Sequence, residues 1–134
     1  MLQIRNHMSR LTHSLSPQLG LAEALDRLHQ ADASGLPVLD DQKRLIGFLS
    51  EQDCIPSLLT GSYHCDSRTR VEDLMSRTPL FASPDDSILD LARQMTGARP
   101  KVYPVLEGGK VVGIINRRQV MQALNAQMKQ CQAT

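Results

Sequence analysis

Ser50-Glu51-Gln52-Asp53 sets a hydroxyl and a carboxylate three residues apart, where an apolar run gives way to a helical pattern. Two kinds of chemistry fit that spacing. As a capping box, the hydroxyl accepts from one orphan backbone N–H and the carboxylate reaches back to another. As a binding pair, the carboxylate is an acceptor-only group beside a helix N-terminus, which also favours anions. Capping boxes prefer Glu or Gln at the last position, so Asp53 leans toward binding. The related stretch Asn116-Arg117-Arg118-Gln119 ends in an amide. It can cap in the same way, and Gln can bond a hydroxyl, but without charge assistance.

Other reactive residues do not assemble into a catalytic pattern. His64-Cys65-Asp66 are adjacent in an expected loop, with no further Cys/His pair at ligand spacing, so no metal is expected. A Cys–His nucleophile would need an orienting partner and an oxyanion site, which the sequence does not supply. His13 reads as a partly buried turn residue rather than a base. Arg99, Lys101, Arg117 and Arg118 read as a solvated basic surface, with phosphate contact as the functional alternative. The expectation is a protein that is not an enzyme.

The elements that carry these residues come in two copies. Ile4-Arg5-Asn6-His7-Met8-Ser9-Arg10 matches Val71-Glu72-Asp73-Leu74-Met75-Ser76-Arg77, and the same offset aligns Ser16-Pro17 with Ser83-Pro84 and Pro37-Val38-Leu39 with Pro104-Val105-Leu106. After a one-residue slip in a turn, Gly47-Phe48-Leu49 aligns with Gly113-Ile114-Ile115. Register kept across separate motifs marks a duplication.

Each copy reads alike. After a short opening segment, Ser-Pro is expected to start a helix, with Ser as cap and Pro at the first position. Asp85 and Asp86 would add favourable charge to the first turn. Leu21, Ala24, Leu25 and Leu28, or Ile88, Leu91, Ala92 and Met95, then form one apolar helical face. Two strands follow, Gly35–Leu39 and Leu45–Leu49 or Val102–Leu106 and Val111–Ile115, and a short helix closes the copy. Pro56 is expected to kink or end that helix in the first copy. The expected division is a first repeat at 2–60, a linker at 61–70, a second repeat at 71–126 and a frayed tail at 127–134. A repeat of that size is marginal alone. The two are therefore expected to pack together with pseudo-two-fold symmetry and a cleft between them.

Composition narrows the function classes. Net charge is +1 and aromatics are 3%, which argues against nucleic acid as a partner, by electrostatics or by base stacking. Residues 1–67 carry five basic and eight acidic groups and residues 68–134 ten and six, so the copies differ in sign. Cys54, Cys65 and Cys131 are few, odd in number and without CxxC spacing, which points to a reducing cytoplasm rather than a disulfide framework. No apolar run approaches the roughly 20 residues of a membrane span, and the N-terminus lacks a signal-peptide pattern, so no membrane insertion is expected.

The Val/Ile-x-x-x-Met-Ser opening, the Ser-Pro, the hydrophobic-Pro-Val-Leu-Asp/Glu strand and the Gly-hydrophobic-hydrophobic-Ser-x-x-Asp ending together resemble cystathionine-β-synthase (CBS) repeats, and the tandem resembles a CBS pair, or Bateman module. The resemblance covers about residues 2 to 126. It implies an α/β (α+β) chain of two β-α-β-β-α repeats. It also implies a regulatory, non-catalytic role with no required cofactor, and an adenosine-containing ligand such as AMP, ADP, ATP or S-adenosylmethionine in the cleft between repeats. A homodimer and an effector protein acting in trans are implied as well. By resemblance, Asp53 takes the ribose hydroxyls, for which an acceptor-only carboxylate suits a vicinal diol. Ser50 takes the ribose–phosphate region, and Ser34-Gly35-Leu36-Pro37 with Thr12-His13-Ser14 wall the adenine. The equivalent residues Lys101, Val102, Tyr103, Asn116, Arg117, Arg118 and Gln119 supply phosphate contacts or a second site. The competing reading is a ligand-free dimerisation or interaction scaffold in which Ser50 and Asp53 only cap.

Overall fold

A computed structural model describes residues 2–64, 68–97 and 100–133. Its elements in chain order are a 3-10 turn Ile4–Asn6, β1 (Ser9–Arg10), α1 (Leu21–Ala31), β2 (Gly35–Leu39), β3 (Leu45–Ser50), α2 (Glu51–His64), α3 (Val71–Leu74), α4 (Ile88–Gln94), β4 (Val102–Glu107), β5 (Lys110–Asn116) and α5 (Arg117–Ala133). Both apolar strand pairs form antiparallel hairpins, β2 with β3 and β4 with β5. The second is closed by Gly108 and Gly109 at φ 61° and 80°, the left-handed values a tight hairpin turn needs.

The chain divides into two compact units, a first of residues 12–79 and a second of 1–11 with 80–134. Each unit takes the helix–strand–strand–helix body of one repeat and the opening segment of the other. In the second unit, β1 pairs antiparallel with β5, Ser9 opposite Ile114. In the first, Ser76 forms the equivalent bridge with Phe48. The remaining ties repeat pair for pair: Ile4 N–H donates to Asp86 O at 3.0 Å and Arg5 N–H to Pro84 O at 2.8 Å, while Val71 N–H donates to Leu19 O at 2.9 Å and Glu72 N–H to Pro17 O at 3.0 Å.

A glycine admits the exchanged segment in each unit. A Cβ on Gly47 would stand 2.5 Å from Met75 Sδ and 2.9 Å from Ser76 O, and a Cβ on Gly113 would meet Met8 Sδ and the Ser9 carbonyl. Only a residue without a side chain allows so close a backbone approach. The cores follow the same division. Leu15, Leu28, Leu36, Val38, Leu49 and Val71 are buried together in the first unit, and Ile4, Ile88, Leu91, Tyr103, Val105 and Ile115 in the second. Each buried aliphatic side chain contributes about 1.5–3 kcal/mol by leaving water.

Two local expectations are corrected and a third is narrowed. Ser16-Pro17 and Ser83-Pro84 do not start helices. They open β-turns closed by Leu19 N–H to Ser16 O and Asp86 N–H to Ser83 O, with Pro at the turn position its fixed φ suits. The helices begin later, at Leu21 and Ile88, capped by Gly20 and by Ser87, whose hydroxyl accepts from Leu89 N–H at 3.1 Å. Asp86 accepts from Ser83 N–H in the turn, and Asp85 pairs with Arg5, so neither sits in the first helical turn. Pro56 lies inside α2 without ending it. Gln52, whose carbonyl loses that N–H, is exposed like Pro56, so water can take the vacant acceptor. The helix runs on to His64, into the stretch expected as linker, and α5 stays helical to Ala133, through the expected frayed tail.

Candidate functional site

The first unit brings the Ser50 motif to the end of its hairpin. Antiparallel register sets Gly35 opposite Ser50, Leu36 opposite Leu49 and Pro37 opposite Phe48. Glu51 N–H, the first of α2, donates to Ser34 O at 2.9 Å and ties the strand entrance to the helix start. Ser50 and Asp53 form the reciprocal cap. Ser50 N–H donates to Asp53 Oδ2 at 3.0 Å, and Asp53 N–H donates to Ser50 Oγ at 3.3 Å. Only one carboxylate oxygen is used. Asp53 is exposed, and its Oδ1 accepts no hydrogen bond among the described residues.

The other residues expected at this site divide in two. Gly35 lies opposite Ser50 and Ser34 is tied to the helix start, whereas Leu36 turns into the core and Pro37, opposite Phe48, is fully buried as well. Thr12 Oγ1 and His13 Nδ1 bond each other at 2.9 Å, and Ser14 O accepts from Arg27 on α1 at 3.0 Å. Leu15 links this segment to β2, donating to Pro37 O at 3.0 Å. Phe48 is not among the residues the sequence singles out for the site. A Cβ on Gly35 would stand 2.5 Å from the Phe48 ring, so the ring lies against bare backbone beside Ser50. The repeat alignment carried the signal, since Gly35/Phe48 answers Val102/Ile114, small with large against two of middling size.

Cys54, the next residue of α2, is fully buried and donates its thiol to Ser50 O at 3.3 Å. Burial first, then the charges of Asp53 and Glu51, push the thiol up from 9.0 to about 11. A thiol held protonated in this way is not a nucleophile.

In the second unit Arg117 N–H donates to Lys101 O at 2.8 Å, the counterpart of the Glu51–Ser34 bond. Val102 pairs with Asn116, and Val102 and Tyr103 are buried. Lys101, Arg117 and Arg118 are exposed. Asn116 and Gln119 cap reciprocally at 2.9 and 2.8 Å. Gln119 goes further and donates from Nε2 to Ser9 Oγ at 2.6 Å. Ser9 escaped sequence reading because it is far off in the chain. Among the described residues no cluster of His, Cys, Asp and Glu could hold a metal ion. Arg99 and the Cys65-Asp66 part of the His64-Cys65-Asp66 run lie outside the described residues. No described helix is long and apolar enough to cross a membrane.

Comparison with known proteins agrees with this architecture. The CBS domain family model matches residues 4–59 and again 71–126, so the chain belongs to the CBS domain family as a tandem pair. It is 26% identical over 123 residues to the uncharacterized protein MJ1225 of Methanocaldococcus jannaschii, covering 92% of this chain and 43% of that protein. A crystal structure of CBSX2 in complex with AMP matches with TM-score 0.79 and 28% identity, over 96% of this chain and 99% of that one. CBSX2 comes from Arabidopsis thaliana. A CBS domain-containing protein of unknown function from Bacillus anthracis matches with TM-score 0.81, 21% identity and 94% coverage of each chain, a likeness of fold. The chain spans less than half the length of the first three curated relatives, 43%, 25% and 15%.

Proposed function

We propose that the chain is a regulatory module that binds an adenosine-containing ligand, AMP, ADP, ATP or an S-adenosylmethionine-like molecule, at the Ser50–Asp53 end of its first unit. Binding controls a partner protein supplied in trans. The observation that carries the reading is the half-used carboxylate of Asp53. Oδ2 caps the helix while exposed Oδ1 keeps its lone pairs for a ligand. A carboxylate with free acceptor capacity suits the two adjacent hydroxyls of a ribose. Ser50 stands beside it for the ribose–phosphate region, and the Ser34–Pro37 edge with Thr12–Ser14 supplies the wall for the base. Support also comes from the likeness, over nearly the whole of both chains, to a CBSX2 structure in complex with AMP.

The module works by binding rather than catalysis and needs no cofactor, in keeping with the inert Cys54 thiol. It acts in the cytoplasm, a reading supported by three scattered cysteines. It self-associates as a homodimer. Ile55 and Leu59 on α2 are 54% and 71% exposed and Met121 on α5 is 61% exposed, apolar faces that a second copy would cover.

Asp53→Asn tests the ligand reading. The Asn carbonyl can still accept from Ser50 N–H and keep the cap, but the second oxygen becomes a donor. Affinity for the adenosyl ligand should fall by about 1.5–3 kcal/mol, roughly ten- to a hundredfold, with the melting temperature nearly unchanged. At 100 times the dissociation constant the wild-type chain should gain about 2.7 kcal/mol of stability. If neither AMP, ADP, ATP, NAD nor S-adenosylmethionine at millimolar concentration moves the melting temperature, the scaffold reading replaces this one, because capping alone then accounts for Ser50 and Asp53.

A further inference from the structure

The two opening segments make nearly the same backbone bonds. Besides the ties of Ile4, Arg5, Val71 and Glu72, Ile88 N–H donates to Leu2 O at 2.9 Å in the second unit, and Leu21 N–H donates to Thr69 O at 3.1 Å in the first. Met8, Ser9 and Arg10 recur as Met75, Ser76 and Arg77, and buried Ile4 recurs as buried Val71. Backbone bonds and apolar packing therefore tell one segment from the other only weakly. The sign of charge reverses at one position, where Arg5 answers Glu72.

The surroundings of that position differ in the same sense. Arg5 Nη2 lies 3.0 Å from Asp85 Oδ1 and 3.0 Å from Glu107 Oε2. Among the described residues these are the ion pairs that either carboxylate makes. The equivalent residues of the first repeat are Gln18, which is neutral, and Asp40. Asp40 is already occupied by its own turn. Its Oδ1 accepts from Gln42 N–H and Arg44 N–H at 2.9 Å each, and its Oδ2 accepts from Arg44 Nε at 3.0 Å. The turn of the first hairpin thus supplies its own cation, whereas that of the second takes its cation from the opening segment.

We infer that Arg5 keys residues 2–11 to the second unit by charge, making that segment a strap that ionic strength loosens selectively. A glutamate in the same place, as the other segment would bring, sets a third carboxylate beside two. Discrimination comes both from the favourable contact and from the unfavourable one it replaces. Exposed ion pairs are weak singly, but one guanidinium shared by two carboxylates is a small network. Arg5, Asp85 and Glu107 have side chains 46%, 73% and 52% exposed, so added salt screens them. Glu72 joins no ion pair among the described residues, so the first unit's segment lacks this sensitivity. The inference does not depend on any ligand.

Amide hydrogen exchange of the full chain, followed by NMR, tests it. The readout is Ile4 and Ile88, whose N–H groups bond across the strap, against their counterparts Val71 and Leu21. Arg5→Glu should speed exchange at Ile4 and Ile88 by about fivefold or more and leave Val71 and Leu21 within about twofold, with Arg5→Gln between. In the wild-type chain about 1 M sodium chloride should speed the first pair relative to the second by about threefold, an effect that Arg5→Gln removes. Adding Asp85→Lys and Glu107→Lys to Arg5→Glu should bring protection back to within about twofold of wild type, a rescue that a merely structural arginine would not allow. The inference is overturned if Arg5→Glu leaves Ile4 and Ile88 within about twofold of wild type, or if the acceleration is shared equally by Val71 and Leu21. It is also overturned if the charge-reversed variant stays as unprotected as Arg5→Glu, or if salt acts alike on both pairs.

Discussion

Replacing Gly47 by Ala probes the exchange of opening segments directly. The new Cβ would stand 2.5 Å from Met75 Sδ, 3.1 Å from Met75 Cγ and 2.9 Å from Ser76 O. Favourable carbon contacts lie near 3.5–4.0 Å, so all three neighbours must give way. Met75 can swing, because a thioether chain has several rotamers. Ser76 O cannot move alone. It accepts from Phe48 N–H at 3.0 Å, and Ser76 N–H donates back to Phe48 O at 2.9 Å. Relief therefore needs the bridge to open by several tenths of an ångström, or the 71–76 segment to lift away from β3. Overpacking of this kind costs about 1–3 kcal/mol. Urea unfolding followed by circular dichroism at 222 nm reads it as a lower midpoint at an unchanged slope. Gly113→Ala should behave alike through the Ser9 carbonyl. A Gly47→Ala midpoint within about 0.3 kcal/mol of wild type would refute the close approach and, with it, the placement of residues 71–76 in the first unit.

Three further outcomes are expected. Gly20 and Ser87 cap equivalent helices with similar backbones, φ −69° and ψ 156° against φ −75° and ψ 134°. Gly20→Ser should thus import the second repeat's cap and stabilise by about 0.5–1 kcal/mol, read in the same unfolding assay; a loss of stability would show that the site cannot hold a serine cap. For Cys54 the folded thiol titrates near 11, above its ordinary 9.0, so between those values the unfolded chain gives up its proton first. Stability should fall as pH rises through that window, and Cys54→Val, copying the buried Val120, should remove that part of the slope. In a Cys65→Ser background at pH 8, exposed Cys131 should react with a thiol reagent at once and Cys54 only on unfolding; equal rates would refute the burial.

Much of this molecule is written in local pattern. The duplicated motifs name the family, and the boundaries expected for β2 coincide with the strand. Apolar runs and their bracketing turns depend on neighbours in the chain, so they can be read there. The helix starts are not legible in this way, because Ser-Pro suits a β-turn as well as a cap, and backbone bonds such as Asp86 N–H to Ser83 O decide between them. Pro56 does not end its helix, because the cost of a lost helical bond depends on whether water can replace it.

The Ser-x-x-Asp motif shows where pattern stops. Its residues and spacing are plain in the sequence, and so is the Asn/Gln departure in the second repeat. Sequence could not say that both motifs cap, that Asp53 keeps one oxygen unused, or that Gln119 is spent on Ser9. Nor could it say that each opening segment would complete the other repeat's unit. Those outcomes depend on which distant backbones meet. Two repeats of one pattern offer similar local choices, so only the assembled chain decides which segment lies against which strand.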